Sequence, residues 1–230
     1  MVRALEARSA KLTLLGRNAN ALAQSASSKP RIVVADLGEP LDCDLGDVEV
    51  LINNAGFMHA GPFVDEPHAD TEAMLRINVL APMRLTQLAL PGMIARGYGR
   101  IVNIGSGFGS VGFPFHASYS ASKFAMRGFS EALRRELHGS GVGVTYVSPR
   151  ATRTAMLDAD VAKAGGMPVD DPAVVANKIV QAIADDRDTL TIGNDQAIFS
   201  RLNVVLPGLV NRGLRKPTRA LRAHFAGAPS

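Results

Sequence analysis

The sequence has no tryptophan, three tyrosines and a single cysteine among its 230 residues. One cysteine, Cys43, excludes an internal disulfide, and its surroundings lack metal-ligand spacing, so we expect a cytoplasmic thiol and no metal site. No apolar run is long enough for a membrane-spanning helix, and the charged segment Met1–Ala10 lacks a signal-peptide core. The net charge is only +4. Without basic residues interleaved with aromatics, we expect no nucleic-acid partner.

Short apolar runs alternate with long helical patterns, which predicts a doubly wound parallel α/β sheet in a single domain. The predicted strands are Lys11–Leu15, Arg31–Ala35, Val48–Ile52, Arg100–Ile104, Val142–Val147 and Leu190–Ile192. The predicted helices are Asp70–Arg96, Tyr119–His138 and Pro172–Asp185. The connection from Asp36 to Asp47 is too short for an ordinary helical crossover, so we expect a loop or one helical turn there.

Tyr119 and Lys123 are four residues apart at the start of a helical pattern, which places them on one helix face. An ammonium beside a phenol favours the phenolate, so we expect Lys123 to lower the pKa of Tyr119. Such a tyrosine is a usable general acid or base near neutral pH. The alternative is an ordinary exposed pair on a surface helix.

Polar residues also follow two predicted strands, where functional groups gather in parallel sheets. Ser106 comes just after Arg100–Ile104, and its hydroxyl is suited to binding a carbonyl oxygen. Asn53-Asn54-Ala55-Gly56 follows Val48–Ile52, and its amides can tie neighbouring strands together. Asn78 lies inside a helical pattern, where asparagine is disfavoured. The alternatives are turn residues for the first two segments and a solvated helix residue for Asn78.

Together these segments resemble the short-chain dehydrogenase/reductase family over roughly residues 10 to 195. The matching motifs, in order, are Asn53–Gly56, Asn78 in Arg-Ile-Asn-Val, Gly-Arg-Ile-Val-Asn-Ile-Gly-Ser ending at Ser106, and Tyr119-Ser-Ala-Ser-Lys123. The resemblance implies a Rossmann-type catalytic domain over residues 1–195 that transfers a hydride between a nicotinamide cofactor and a carbonyl or secondary alcohol. It implies that Tyr119 exchanges the proton and that Lys123 lowers its pKa and contacts the nicotinamide ribose. Ser106 would polarise the carbonyl, and Asn78 would hold a helix kink and a relay water.

The resemblance also assigns the cofactor contacts. Arg17 stands after the first predicted strand, near the place where NAD-preferring relatives carry an acid, which favours NADP as the cofactor. The alternative is an exposed loop arginine. Asp36 and Leu37 resemble the adenine contact. Further contacts with the cofactor are expected from Asn54, Ala55, Gly56, Pro149 and Thr154, besides Tyr119 and Lys123.

Two departures from the family stand out. Arg150 replaces the usual glycine after Pro149, and it either meets an anionic group of the substrate or points outward. The Gly-rich phosphate loop should precede Lys11, yet nothing in Met1–Ala10 fits it, and Met1–Ser9 is typical of a helix end. We therefore expect a missing central strand, and residues 1–230 alone to fold poorly or not to bind NADPH. The competing interpretation is a catalytically inactive, cofactor-free binding protein or fragment.

The remaining predictions concern substrate and partners. The segment Ala151–Pro172 is mostly small and apolar, which is typical of a lid for a lipid-like or ring substrate. By the resemblance, the helices in Asp70–Arg96 and Tyr119–His138 form the interface of a homodimer or homotetramer. Residues 196–230 form a basic amphipathic extension with no acid after Asp195. Its apolar face either lies on an anionic membrane or covers the substrate pocket with its arginines solvated.

Overall fold

The computed structural model describes residues 1–227 and shows the predicted class of fold, a parallel α/β sheet with helices on both faces. Its strands are β1 Thr13–Gly16, β2 Arg31–Val34, β3 Val50–Asn53, β4 Gly99–Ile104, β5 Val142–Ser148 and β6 Thr189–Thr191. Every predicted strand is present, with ends shifted by a few residues. The fold prediction is therefore confirmed, and the last three residues of the predicted extension lie outside the described part.

The described residues form ten α-helices, more than the three that the sequence predicts. They are α1 Val2–Glu6, α2 Ala19–Ser25, α3 His68–Leu75, α4 Ala81–Arg96, α5 Ala117–Glu136, α6 Ala159–Ala164, α7 Pro172–Ala184, α8 Asn194–Val205, α9 Pro207–Gly213 and α10 Arg215–Ala226. Short 3₁₀ helices span Phe63–Asp65 and Gly107–Gly109. The connection from β2 to β3 is a loop, as predicted, and buried Leu41 and Leu45 anchor it in the core.

Two apolar cores lie on opposite faces of the sheet, and β4 contributes to both of them. Ile101 packs with α4 and α5 on one face, while the next residue, Val102, packs with α7 on the other. Both side chains are fully buried. Because β4 is covered on both faces, its carboxyl end is held rigidly at the edge where functional groups gather.

The sheet is divided between β1 and β3. The pair β1-β2 forms one parallel unit, and β3-β4-β5-β6 forms another, with no backbone pairing between β1 and β3 in the described residues. The two units still share a core, because Leu15 of β1 and Leu51 of β3 pack against the same apolar cluster. This division lies where the sequence predicts a missing central strand, and the loss of such a strand stays a prediction.

Two glycines near the start of β5 offer a matched test of this packing. Gly139 and Gly141 both have positive φ, at 82° and 79°. A Cβ on Gly139 would meet open space, whereas one on Gly141 would overlap the carbonyl oxygen of Gly97. We expect Gly139→Ala to lower the free energy of unfolding by about 1–2 kcal/mol, the cost of a left-handed alanine. Gly141→Ala should cost at least about 2 kcal/mol more in urea denaturation. Equal losses would contradict the close approach of β5 to Gly97.

Candidate active site

A cavity of about 650 Å³ opens at the carboxyl ends of β3, β4 and β5. Ser106, Tyr119 and Lys123 all line it, so the fold brings together the three residues that the sequence places in the chemistry. Most of the remaining wall is apolar. It includes Met58, Phe108, Val111, Phe113, Met156, Leu157, Val161, Met167, Phe199 and Leu214.

Ser106 stands just beyond β4, at the start of a 3₁₀ turn. Its backbone is extended, and its hydroxyl oxygen accepts a hydrogen bond from the Phe108 amide at 3.2 Å. The Ser106 carbonyl in turn accepts a hydrogen bond from the Ser148 hydroxyl at 3.0 Å. Because β5 holds this carbonyl, the Ser106 hydroxyl has a fixed position at the cavity wall.

Tyr119 and Lys123 occupy the first turns of α5 and are both buried. The Lys123 Nζ lies 5.5 Å from the centre of the Tyr119 ring and donates a hydrogen bond to the Ile104 carbonyl at 3.2 Å. The Ser106 side chain is near enough to the Tyr119 phenol to act on its pKa. The surface-helix alternative does not apply, because Tyr119 is 8% exposed and Lys123 is 5% exposed.

The pKa values in this site differ from the sequence prediction. Burial raises the pKa of Tyr119 to about 12, although the Ser106 side chain acts in the opposite direction. Burial also lowers the pKa of Lys123 to about 8. The pKa of Tyr119 is therefore raised overall, opposite to the lowered value that the sequence predicts, and the role of Lys123 in lowering it stays a prediction. Both groups are buried, and loss of water is the largest cause of both shifts.

Asn78 lies in a π-helical turn, Arg76–Leu80, that separates α3 from α4. Its side-chain oxygen accepts a hydrogen bond from the Phe57 amide at 2.8 Å, and its side-chain amide donates to the Phe57 carbonyl at 2.8 Å. The same amide group donates to the Ser122 hydroxyl at 3.0 Å. Asn78 thus joins the loop after β3 to α5. The predicted single helix over Asp70–Arg96 is interrupted at this residue.

A second buried polar chain ties the strands beneath the site to α5. The Asn53 side chain donates to Asn103 Oδ1 at 2.8 Å across β3 and β4, as the sequence predicts for this amide. Asn103 then donates to the Ser130 hydroxyl on α5 at 2.9 Å. Sequence reasoning missed Asn103 and Ser130. The signal was an asparagine inside an otherwise apolar strand, which requires buried partners.

The predicted cofactor residues fall into two groups. Asn54, Gly56, Pro149 and Thr154 line the cavity, whereas Ala55 is exposed beside it. Gly56 fits tightly, because a Cβ there would lie 3.3 Å from Asn78 Oδ1 and 3.7 Å from Lys123 Nζ. This crowding and the inward-facing Lys123 fit the ribose and nicotinamide end of a dinucleotide.

The other group lies at the carboxyl ends of β1 and β2, outside the cavity wall. The Arg17 side chain is 78% exposed and is 3.8 Å from the Asp36 carboxylate. Asp36 Oδ1 accepts a hydrogen bond from the Gly38 amide at 2.8 Å. Leu37 is only partly buried and packs against the core of the sheet. Arg17 and Asp36 are therefore neighbours, and the guanidinium remains accessible to a ligand.

The Arg150 side chain does not point freely outward, and its guanidinium is not free to bind an anionic group of the substrate. Its guanidinium contacts both oxygens of Asp170, at 2.6 and 3.2 Å, and Asp195 at 2.9 Å. A backbone bridge joins Thr152 to Asp170 at the same place. Arg150 therefore closes the neck of the segment 151–170 and fastens it to the start of α8. Its charge is balanced by two carboxylates, which removes the reason to expect an anionic group on the substrate.

An aromatic cluster on the cavity wall was not predicted. Phe108 and Phe113 stack with ring centres 4.6 Å apart, and His116 packs edge-on against Phe108. His116 is buried, with Nδ1 3.0 Å from the Pro114 carbonyl, and burial lowers its pKa. An uncharged imidazole is consistent with an apolar wall. The sequence signal was the density of phenylalanine just before Tyr119.

The described residues were also searched for a metal site and for a membrane-spanning helix. In the range 1–227, side chains of histidine, cysteine, aspartate and glutamate form no group of three or more that is arranged to hold a metal ion. No helix in that range is both long and apolar enough to cross a membrane.

Lys123 should give the free energy of unfolding a specific dependence on pH. Its pKa is about 8 when folded, against an ordinary value of 10.5, so between these values the unfolded chain binds more protons. Stability should therefore rise with pH in this range, by about 2 kcal/mol from pH 7.5 to 9.5. Tyr119, whose folded pKa is about 12, opposes this only above its ordinary value of 10.0.

Chemical denaturation at the two pH values measures this rise. We expect Lys123→Met to lack it and Lys178→Met, which changes an exposed lysine of α7, to retain it. An undiminished rise in Lys123→Met would assign the pH dependence to another group.

The sequence was also compared with known proteins. Residues 1–165 match the family described as short chain dehydrogenase. The ketoacyl reductase HetN of Nostoc sp. is 38% identical over 164 residues, which cover 70% of this chain and 57% of that protein. The chain therefore spans little more than half the length of this relative. Dehydrogenase/reductase SDR family member 7B of Bos taurus is 31% identical, with 96% of this chain and 77% of that protein covered.

A solved structure agrees with these matches. The short-chain dehydrogenase from Sphingobium yanoikuyae in complex with NADPH is 25% identical, with a TM-score of 0.71 over 89% of this chain and 87% of that chain. The family inferred from the four motifs is thus confirmed by a match over 1–165. The chain belongs to the short-chain dehydrogenase/reductase family.

Proposed function

We propose that this chain transfers a hydride between NADP(H) and a carbonyl or secondary alcohol on an apolar, lipid-like substrate. The observation that carries the proposal is the convergence of Ser106, Tyr119 and Lys123 on one apolar cavity. When bound, the nicotinamide cofactor would supply or accept the hydride. Asn54, Gly56, Lys123, Pro149 and Thr154 would hold its nicotinamide end, because they line the cavity around the catalytic side chains.

The protonation states favour the direction of carbonyl reduction. With a pKa of about 12, Tyr119 is a neutral phenol near pH 7 and can donate a proton to a carbonyl oxygen. Ser106, which lines the same cavity, can donate a hydrogen bond to the same oxygen. Lys123, with a pKa of about 8, remains largely protonated at neutral pH and stabilises negative charge on Tyr119 after the transfer.

The cavity wall supports an apolar substrate. Phe108, Phe113, Leu157, Phe199 and Leu214 line it, and Arg150 is neutralised by its two carboxylates. A relative that is named a ketoacyl reductase agrees with a keto group on such a substrate.

We also propose that the protein is cytoplasmic, because its single cysteine cannot form an internal disulfide, and that it forms a homodimer or homotetramer. Exposed Leu80, Ile94 and Phe124 on or beside α4 and α5 support the association.

A second candidate is an inactive binding protein that retains the site residues. The separation of β1 from β3 favours it, since in this fold family the cofactor lies across this part of the sheet edge. NADPH titration together with turnover of apolar ketones separates the two candidates. Binding without turnover of any ketone supports the second candidate, as does absence of NADPH binding.

Tyr119→Phe removes only the proton-donating hydroxyl. We expect turnover of an apolar ketone to fall by roughly 10²–10⁴-fold, the usual contribution of general acid catalysis. The dissociation constant for NADPH should change little, because the ring and Lys123 remain. Tyr98→Phe is the matched control, since Tyr98 is a half-exposed tyrosine outside the cavity wall. Full turnover in Tyr119→Phe would remove Tyr119 from the chemistry.

Arg17→Ala tests the choice of cofactor. The exposed guanidinium is available for the 2′-phosphate of NADPH, and the relative solved with NADPH agrees with that choice. A charge-assisted hydrogen bond contributes roughly 1.5–3 kcal/mol, so the dissociation constant for NADPH should rise about tenfold or more. NADH binding should be nearly unchanged. Arg3→Ala, at an exposed arginine of α1, serves as control. Equal losses for both cofactors would show that Arg17 does not distinguish them.

A further inference from the structure

We propose that α8, α9 and α10 form a docking surface for an anionic lipid bilayer. This inference concerns a partner and goes beyond the proposed reaction. Two features of these helices support it, an exposed apolar patch and a segregated positive charge.

The inner side of the three helices is already occupied by the protein. Phe199 and Leu214 line the cavity, and Val210 and Leu221 are almost completely buried. Phe225 stacks on Phe115 with ring centres 5.3 Å apart. The extension therefore covers the substrate cavity, one of the two roles that the sequence allowed. These contacts fix which side of the helices faces solvent.

The outer side carries an apolar patch without a partner among the described residues. Its five members are large aliphatic residues at the end of α8, the turn after it and the start of α9, with one residue from the start of α8. They are Ile198, Val204, Val205, Leu206 and Leu209. Each is more than half exposed, and Val204 and Val205 reach 76% and 74%. Exposed aliphatic residues concentrated in one short segment are typical of a protein or membrane contact.

The same segment of the chain carries a concentration of positive charge. The six cations of the segment are all exposed, and none forms a salt bridge with another described residue; they are Arg201, Arg212, Arg215, Lys216, Arg219 and Arg222. Arg215, Arg219 and Arg222 follow the spacing of one helix face. The whole chain has a net charge of +4, so the six cations leave residues 1–195 with 4 − 6 = −2. The net positive charge of the chain thus comes from the extension.

An anionic bilayer is the partner that fits both features. Aliphatic side chains insert below the headgroups, while arginine and lysine remain at the level of the phosphates. A second copy of the chain fits poorly, because two such surfaces would bring twelve cations together without a carboxylate. A nucleic acid would satisfy the cations but would leave the aliphatic patch without an apolar environment.

Docking through this surface would place the cavity close to the bilayer, since the same helices line the cavity and carry the patch. An apolar substrate dissolved in the membrane would then have a short path to Ser106 and Tyr119. This consequence, unlike the docking itself, rests on the proposed function.

Co-sedimentation of the full chain with vesicles tests the docking independently of activity. Vesicles of phosphatidylcholine alone are compared with vesicles containing three-tenths phosphatidylglycerol, at 50 and 500 mM salt. We expect binding to the anionic vesicles at low salt and strong loss of binding at high salt, because the attraction of exposed charges is screened. Absence of binding to anionic vesicles at low salt would overturn the proposal.

Variants separate the two features. Arg215→Gln with Arg219→Gln should weaken binding roughly thirtyfold, and Val204→Ser with Leu209→Ser should weaken it at least about tenfold. The controls are Lys29→Gln with Lys178→Gln, which changes exposed cations, and Phe63→Ser with Val64→Ser, which changes exposed apolar residues. Equal loss in controls and test variants would overturn the assignment. A second combination of results would also overturn it. If the chain does not bind vesicles, and light scattering shows a dimer that Val204→Ser with Leu209→Ser dissociates, a second copy of the chain covers the patch.

Discussion

The buried pair of Lys123 and Tyr119 is the constraint on which the rest of the site depends. A lysine that is 5% exposed requires polar partners, because removing an ammonium from water is costly. Here the Ile104 carbonyl at the end of β4 accepts its hydrogen bond, and the phenol ring lies beneath it. These contacts fix α5 against β4. Desolvation then sets both pKa values, so that the phenol stays protonated and the lysine titrates near pH 8.

Lys123 and Tyr119 keep these positions only if the elements around them are fixed. Two networks of hydrogen-bonded asparagine side chains fix those elements. Asn53 and Asn103 link β3 to β4, and Ser130 extends the link to α5. Asn78 links the loop after β3 to Ser122, one residue before Lys123. In both networks a buried amide uses hydrogen bonds that water would otherwise provide, so loss of one partner leaves another unsatisfied. The π turn at Asn78 is the local distortion that aims this amide at both partners.

The sequence predicts much of this arrangement, and the reason is local. Strand runs are fixed by apolar pattern, and the pairing of Tyr119 with Lys123 follows from helical spacing alone. What could not be predicted depends on residues distant in the chain. Arg150 pairs with Asp170 and Asp195, which are 20 and 45 residues away in the chain. Nothing in the sequence around these two aspartates indicates that they contact Arg150. The pKa of Tyr119 was predicted in the wrong direction because burial is a property of the assembled core, and sequence spacing does not report it.

The C-terminal extension shows how one segment can satisfy two demands. A helix that only covered a cavity would need a single apolar stripe, with polar residues on the outer side. Here the inner stripe is present at Phe199 and Leu214, yet the outer side of the α8–α9 turn is also apolar. Exposing this second set to water has no benefit for folding. The start of α8 is also tied to the site, because Gln196 donates hydrogen bonds to Ser148, whose hydroxyl holds the Ser106 carbonyl. The helix that carries Ile198, Val204 and Val205 is therefore linked at its start to Ser106, through Gln196 and Ser148.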